Sequence, residues 1–594
     1  MTRRPGAPAL TQRERVAWLA LLFAAIIAGG ASRGYQLGIQ IILDDEWHAL
    51  HKLLTADAWG IFTSFGYSDY SIPLTLYDRL LFLHGGLTEW AMHLPMLLSG
   101  IALLAAAPLL LRRETTLPVR ATWVALLAVS PLLVYHTRVA RPYALTSLLT
   151  LVALVAFRRW WLRQGSVVGW GATYAIAAAV AGWLHLVTLP FTLLPFAYCG
   201  VPALAVLARE RRLAAPASAA LSRLSLLGLA TALPLAAVLL PPLRNDWANV
   251  TAKIAADAVT LDSAYRTLLM LYGVAQPAWL LALAALTGLG IVRFWRRDRA
   301  FVGYVAVVTL GAAIAIALAH SPWIHEPLVL ARYLIPALPF ALLFLAEGIV
   351  VCLALLRRPA LEALVAAALV ASLVFLGPIP DYFYYPNQFM GHLRFQFDYD
   401  PAHNPYVQLI PKEPVPEFYR TLARQPPATI TLIEAPWRLE SHFDPYPWYQ
   451  QVHRQYVKIG FVTPVCGERS FGEYPASAKG MRMREFVHLS GVLAGESYGA
   501  DYLVMHLAPW TTPPGQDIEW PDVAACLPAI EAKLGAPMYR DGQIVVFELK
   551  ARHADFSPAS GSPAVQRDWS SRARTRNAAA PSDSRAPSPV WARR

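Results

Sequence analysis

Long apolar stretches recur through the first two thirds of this 594-residue chain. A helix needs about 20 apolar residues to cross the hydrocarbon core of a bilayer, and about eleven stretches have that length. They cover residues 16–33, 91–111, 119–135, 142–158, 167–184, 186–207, 222–242, 274–292, 301–319, 333–353 and 360–378. The sequence therefore predicts a polytopic α-helical membrane protein with about 11 transmembrane helices.

The composition supports a membrane protein over a soluble one. The chain is 56% hydrophobic and 15% charged, whereas a soluble domain carries about 25% charged residues. The net charge of +12 does not indicate a nucleic-acid partner. Most of the arginines in the chain lie in short clusters between the apolar stretches, where positive residues set the orientation of a chain in the membrane. Many of the other arginines lie near the C-terminus.

The arginine clusters predict the orientation. Arg13 and Arg15 precede the first stretch, and further clusters follow at alternate turns, around residues 112, 158, 211, 296 and 357. Positive residues favour the cytoplasmic side, so we expect a multi-pass plasma (inner) membrane protein with a cytoplasmic N-terminus. This count requires that residues 72–83, which include Asp78 and Arg79, form an interfacial or re-entrant helix within a first outer loop of about 34–90.

Three regions follow from these patterns. Residues 1–380 form the transmembrane part, whose first helix we interpret as a retained helix and not a cleaved signal peptide. Residues 381–555 contain short β-like runs such as ATITLIEA and QIVVFEL, and predict an extracytoplasmic α/β or mixed domain. Residues 556–594 are rich in Ser, Pro, Ala and Arg and predict a disordered basic tail.

The cysteines carry no metal or redox motif, because none of the four forms a CxxC pair. Cys199 and Cys352 fall inside apolar stretches and are expected to be inert core residues. Cys466 and Cys526 fall in the polar C-terminal region, where a disulfide between them is possible if that region lies outside the cytoplasm.

Charged and polar residues from distant parts of the sequence share the predicted outer face. They are Asp44, Asp45, Glu46, Asp69, Arg138, Arg141, His185, Arg332 and Tyr333. An Asp or Glu can remove a proton from an attacking hydroxyl, and arginines can hold a phosphate and stabilise charge on it as it leaves. Transfer from a lipid phosphate to an acceptor at the membrane surface needs both kinds of group. His320, His325 and Glu326 match no standard metal spacing.

Four motifs resemble those of membrane glycosyltransferases of the GT-C type, in particular the glycosyltransferase family 39 group of protein O-mannosyltransferases and lipid A aminoarabinose transferases. In order they are Asp45-Glu46, then Asp69 with Pro73-Leu74, then the stretch from Pro131 to Leu145 that ends in ARPYAL, and RYLIPALP from Arg332 to Pro339. The run HLPMLLSG at 93–100 also resembles a family segment, with His93 where arginine is usual. The resemblance covers about residues 15–380.

Two positions depart from the family pattern. Ile72-Pro73 stands where the family has two prolines, and Arg138-Val139 stands where it usually has Gln-Glu. Because of the second departure, the chain lacks the family's glutamate at this position, and this affects the details of the donor or the acceptor that the resemblance implies.

The resemblance implies an inverting transfer of a sugar from a polyprenyl-phosphate-linked donor at the outer face, to a protein, lipid or glycan acceptor. It implies Asp45 as the general base, with Glu46 as a second catalytic residue and Asp69 helping to place acceptor or base. The residues implied or expected to bind substrate are Asp44, Asp69, Arg138, Arg141, His185, Arg332 and Tyr333. No cofactor is implied with certainty, and a divalent metal is not expected.

Two other classes of function fit parts of the pattern. A transporter or flippase of a lipid-linked glycan would also be polytopic, but transporters place charges near the midplane and often contain inverted repeats. A non-catalytic scaffold would use the outer domain to bind a partner. Individually, Arg332-Tyr333 also fits an interfacial anchor, and Asp44–Glu46 a solvated loop or helix N-terminus.

Overall fold

The computed structural model describes most of the membrane part and the folded elements of the C-terminal domain. The described residues are 10–35, 37, 46–65, 71–210, 215–252, 257–377, 379, 413–437, 445–467, 486–496, 498–507 and 521–549. The predicted tail at 556–594 lies outside them. So do three predicted site residues, Asp44, Asp45 and Asp69.

The membrane part is a bundle of helices, which we number in chain order. They are α1 (Gln12–Gly34), α2 (Glu46–Thr55), α3 (Ala58–Phe62), α4 (Ile72–Leu83), α5 (Glu89–Leu110), α6 (Leu117–Val129), α7 (Pro131–His136), α8 (Tyr143–Trp161), α9 (Val167–Leu184), α10 (Leu189–Glu210), α11 (Ala215–Asn245), α12 (Trp247–Ala252), α13 (Leu261–Tyr272), α14 (Pro277–Arg297), α15 (Arg299–Leu318), α16 (Pro327–Leu334), α17 (Leu338–Leu353) and α18 (Pro359–Leu376).

Ten helical stretches within the described residues are long and apolar enough to cross a membrane. The short helix α6 is apolar too, and α7 continues it after the break at Ser130, because Pro131 disfavours a helical conformation for the residue before it. Together they match the predicted stretches one for one. The protein is therefore a polytopic α-helical membrane protein, as the sequence predicts.

Helix α4 does not add a crossing. At 12 residues it is only about 18 Å long, too short for a bilayer core. It packs against α2 and α3, and Arg79 Nη1 donates hydrogen bonds to the carbonyl oxygens of Leu53 (3.1 Å) and Ala56 (2.7 Å), which end α2. Residues 72–83 therefore form a short helix, and that they belong to an outer loop stays a prediction.

Ion pairs gather at one end of the bundle. Arg158, in the last turn of α8, pairs with Glu114 (3.0 Å) and with Asp298 (2.6 Å), and Arg297 pairs with Glu347 (3.4 Å). These residues belong to or adjoin the clusters predicted to be cytoplasmic. Tyr143 begins α8, so it lies about 22 Å away toward the other end. That this other end faces outward stays a prediction.

The C-terminal domain is built on a six-stranded mixed sheet. Its strands are β1 (Thr431–Ala435), β2 (Tyr456–Phe461), β3 (Phe486–His488), β4 (Tyr502–His506), β5 (Tyr539–Arg540) and β6 (Ile544–Glu548), in the spatial order β3-β2-β1-β4-β6-β5. Strands β3, β2, β1 and β4 are parallel, and β6 is antiparallel to β4 and to β5. The helices are α19 (Glu417–Leu422), α20 (Tyr446–His453), α21 (Leu489–Leu493) and α22 (Val523–Leu534).

The cysteines divide as expected with one exception. Cys466 and Cys526 form the disulfide that the sequence left open. Cys199 is buried. The prediction that Cys352 is a core residue is wrong, because its side chain is exposed on α17. In a membrane helix the apolar pattern continues on the lipid-facing side, so it does not separate that side from the core.

The C-terminal domain packs at the end of the bundle that carries α2 and α4. Leu50, Leu53 and Leu74 belong to the same cluster of buried apolar side chains as Phe418 and Tyr419 of α19. The same cluster includes Ala140, from the loop before α8, and Leu184, the last residue of α9. The sheet domain and the first outer loop therefore lie on one side.

Helices α14 and α17 approach each other more closely than side chains would allow. A Cβ on Gly290 would lie 1.8 Å from the carbonyl oxygen of Phe344, and one on Gly348 would lie 1.9 Å from that of Leu286. Small residues at such crossings let membrane helices pack backbone to backbone. Gly288, two residues before Gly290, has no atom within 4 Å of its Cβ position.

We predict that Gly290→Ala destabilises the bundle by about 1–3 kcal/mol, because the added methyl group forces α14 away from α17. Gly288→Ala, the matched control, leaves the melting temperature in detergent unchanged or slightly higher. Equal melting temperatures for the two variants would show that this close helix contact does not form.

Candidate active site

A buried glutamate lies where the first outer loop meets the bundle. Glu46 is the first residue of α2, and only 1% of its side chain is exposed. Its Oε1 atom accepts a hydrogen bond from the backbone N–H of Ala140 (2.5 Å) and lies 2.7 Å from Nε2 of His93 on α5. Donors at these distances offset the cost of burying a carboxylate. Glu46 thus connects α2, α5 and the loop before α8.

A second group of side chains surrounds Arg332 at the same end of the bundle. The Arg332 guanidinium lies over the ring of Tyr143 (5.5 Å from Cζ to the centroid) and near that of Tyr333 (5.7 Å). His185 lies between the two tyrosines, 5.4 Å from Tyr143 and 5.5 Å from Tyr333, and His136 lies 4.8 Å from Tyr143. We call these five residues the aromatic–arginine cluster.

Prolines place the members of this cluster. Pro142 is the N-cap of α8, so Tyr143 begins the helix directly after a tight turn in which Arg141 N–H donates to Val139 O (2.7 Å). Pro327 begins α16, and a 3-10 turn over Ile335–Ala337 separates α16 from α17. Arg332 therefore lies in the last turn of a short helix, at the end of a crossing and not inside it.

The segment from Ala140 to Tyr143 joins the two groups. Ala140 N–H contacts Glu46, and three residues later Tyr143 contacts Arg332. Three residues span at most about 10 Å, so the carboxylate and the guanidinium belong to one region. Arg141, between them, is 5% exposed. Among the predicted residues, Glu46, Arg141, His185, Arg332 and Tyr333 are thus brought together.

The predicted residues Asp44, Asp45 and Asp69 lie outside the described residues. Described residues next to them in the sequence are held by hydrogen bonds. Glu46 follows Asp45 directly. The chain before Asp69 is held at Phe65, whose N–H donates to Asp246 (2.6 Å), and the chain after it at Ser71, whose hydroxyl donates to Leu184 O (3.0 Å). Leu184 is the residue before His185.

Arg138 has a structural position. It is fully buried, and its Nη1 donates to the carbonyl oxygens of Ser32 (3.2 Å), Arg33 (3.0 Å) and Tyr35 (2.5 Å), where α1 ends. Arg33 in turn donates to Ala128 O and Leu127 O, both 3.0 Å away. These bonds tie α1 to α6 and to the loop before α8. A role of Arg138 in binding substrate stays a prediction.

Four residues of this region were not chosen from the sequence as site residues. His93 was noted only as a departure from a motif, and Asp78 only as an argument against a crossing. His136 and Tyr143 lie inside the aromatic stretch ending ARPYAL without being singled out. Their positions inside or beside the quoted motifs were the one available signal, because the contacts depend on how the helices pack.

In the part of the chain that the structure describes, no three or more His, Cys, Asp or Glu side chains are grouped so that they could hold a metal ion. His325 contacts Asp257 (3.5 Å) and Glu326 (3.3 Å) in the loop before α16.

Solved structures similar to this one come from two kinds of membrane protein. ArnT from Cupriavidus metallidurans bound to undecaprenyl phosphate is 14% identical, with a TM-score of 0.41, over 90% of this chain and 98% of ArnT. Its apo form is 16% identical, with a TM-score of 0.39 and the same coverage. The Archaeoglobus fulgidus oligosaccharyltransferase, in complex with zinc and sulfate, is 12% identical, with a TM-score of 0.39, over 82% of this chain and 68% of that chain.

Both matched proteins are GT-C enzymes, the type that the sequence motifs resemble. No family model matches the sequence, and no curated protein matches it. The function proposed below therefore rests on this chain's own residues and their geometry.

We predict that Arg138→Met lowers stability by about 2–5 kcal/mol, because carbonyl oxygens at the end of α1 lose their buried donor. The measurement is thermal unfolding in detergent, with the exposed Arg293 changed to Met as the control. A variant that melts like the native protein but no longer binds a polyprenyl phosphate would contradict this and assign Arg138 to the substrate.

Proposed function

We propose that this protein transfers a sugar from a polyprenyl-phosphate-linked donor to an acceptor hydroxyl at the outer membrane face, with inversion at the anomeric carbon. The acceptor belongs to a protein, a lipid or a glycan. One observation carries the proposal: the segment 140–143 contacts an acidic residue of the first outer loop through Ala140 and the Arg332 guanidinium through Tyr143.

The acidic half of the site would supply the base. Asp45, the residue before Glu46, is the proposed general base. Glu46 is fixed by donors from two other elements, so it holds the start of α2 in place and limits where the preceding residue can lie. Asp44 and Asp69 are proposed to help orient the acceptor.

The cationic half would bind the donor. A guanidinium carries N–H donors in one plane, which match the oxygens of a phosphate. The rings of Tyr143 and Tyr333 fix the position of the Arg332 guanidinium, and aromatic faces stabilise a nearby cation. Arg141 and His185 adjoin this group, and Arg138 supports it through the end of α1. We propose that Arg332 and Arg141 contact the lipid phosphate.

The reaction then follows from these positions. The acceptor oxygen attacks the anomeric carbon as the bond from that carbon to the phosphate oxygen breaks. The hydroxyl proton goes to the Asp45 carboxylate, and the electron pair of the broken bond stays with the phosphate. The arginines stabilise the added negative charge on the departing polyprenyl phosphate. Attack from the opposite face gives inversion, and the step uses the chain's own side chains.

We predict that Asp45→Asn lowers kcat about 10²–10⁴-fold, because the amide cannot accept the hydroxyl proton. Asp57→Asn is the matched control in the same outer loop, since Asp57 is exposed and caps α3, a position that Asn also fills well. The assay measures sugar released from a purified polyprenyl-phosphate donor. Full activity of Asp45→Asn would exclude Asp45 as the base.

A second prediction concerns donor binding. Arg332→Met should weaken binding of a polyprenyl phosphate about 10–100-fold, because a charge-assisted hydrogen bond to the phosphate is lost. Arg244→Met, at an exposed arginine on the same end of the bundle, serves as the control and keeps native affinity. Movement of the intact donor across the bilayer without release of sugar, in the native protein, would instead identify a flippase.

A further inference from the structure

A second buried carboxyl lies on α4, the helix that packs against α2, and has no role in the reaction described above. Asp78, on α4, is only 3% exposed. The cation next to it in sequence, Arg79, is turned toward the end of α2, where Nη1 donates to Leu53 O and Ala56 O. No described lysine, arginine or histidine forms an ion pair with Asp78. An isolated buried carboxylate is costly, so this group needs another way to be accommodated.

The neighbouring Glu46 has the donors that Asp78 lacks. Its Oε1 accepts from Ala140 N–H and contacts Nε2 of His93. Hydrogen bonds to a carboxylate favour its charged form. When two carboxyls share a buried site, like charges disfavour the ionisation of both, and the one without donors keeps the proton.

The electrostatics of Asp78 agree with this geometry. Burial raises the pKa of the Asp78 carboxyl well above its ordinary value, and the charge of Glu46 raises it further. The titratable and charged groups on the elements around α4 are few. They are Glu46, His48, His51 and Lys52 on α2, Asp57 at the start of α3, Glu89 and His93 on α5, and Tyr77 and Arg79 on α4 itself. Helix α9 contributes no acid, lysine, arginine or histidine.

We propose that Asp78 is a positioning residue of the acidic site, which carries a proton at neutral pH and thereby allows α4 to pack against the charged Glu46. This inference deepens the proposed function and depends on it only for the effect on sugar transfer. Ser71, the N-cap of α4, also donates to Leu184 O beside His185. One short helix thus packs against α2, which begins at Glu46, and against α9, which ends beside His185, and a charge on Asp78 would weaken this packing.

The sign of the pH dependence follows directly. Because folding raises the pKa of Asp78, the folded state binds this proton more tightly than the unfolded state does. Its contribution to stability is fully present below the unfolded pKa and is lost as pH rises through the folded pKa. The native protein should therefore lose stability on the alkaline side, and Asp78→Asn should lose less.

The test uses the infrared carbonyl-stretch band of a protonated carboxyl, recorded on full-length protein in lipid at neutral pH. The native protein and the control Asp57→Asn should show the Asp78 band, and Asp78→Asn should lack it. The melting temperature should fall with rising pH in the native protein and the control, and this slope should be smaller in Asp78→Asn. In sugar transfer, Asp78→Asn should retain several-fold more activity than Asp78→Ala.

An unchanged carboxyl band in Asp78→Asn, or its absence from the native protein, would overturn the proposal. Absence of the band from the native protein needs no variant, so this measurement tests the proposal even if Asp78→Asn does not fold. The infrared and stability measurements do not require transfer activity. An inactive native protein with the Asp78 band would reject the proposed function alone, and a native protein active in transfer but without the band would reject the role of Asp78 alone.

Discussion

The hydrogen bond from the Ala140 N–H to the Glu46 carboxylate is the contact on which the candidate site depends. A buried carboxylate costs several kcal/mol unless donors compensate it, so this charge fixes the surrounding backbone. Its two donors come from α5 and from the loop before α8, and Glu46 itself starts α2. This contact attaches the first outer loop to the segment that reaches Arg332 through Tyr143.

Arginines hold the frame around that contact. Arg33 and Arg138 satisfy carbonyl oxygens where α1 and α6 end, positions at which backbone acceptors have no partner within their own helix. At the opposite end, Arg158 pairs with Glu114 and Asp298. The bundle therefore has structural arginines at both ends, and Arg332 lies over the rings of Tyr143 and Tyr333 at the end that carries Glu46. The position of an arginine in the sequence does not by itself show whether it stabilises the bundle or belongs to the candidate site.

Much of the architecture could be predicted from the sequence, because the bilayer imposes strong rules on length and charge. The apolar stretches, the short helix α4 and the strands β1, β4 and β6 all follow from local pattern. Glu46, His185 and Arg332, which the sequence assigns to one membrane side, also lie at one end of the bundle. Sequence could not show that Arg138 caps α1 or that Cys352 is exposed, since both depend on which helix lies alongside. Asp78 and His93 were missed for the same reason.

The central claim is that one outer cavity holds the lipid phosphate next to the acidic end of the first outer loop. A cryo-electron microscopy structure of the protein in lipid nanodiscs with a polyprenyl phosphate tests it most directly. The account predicts phosphate density within hydrogen-bond distance of the Arg332 guanidinium, on the side of Tyr143 and His185 that faces Glu46. Phosphate bound at the opposite end, near Arg158 and Arg297, would contradict the account.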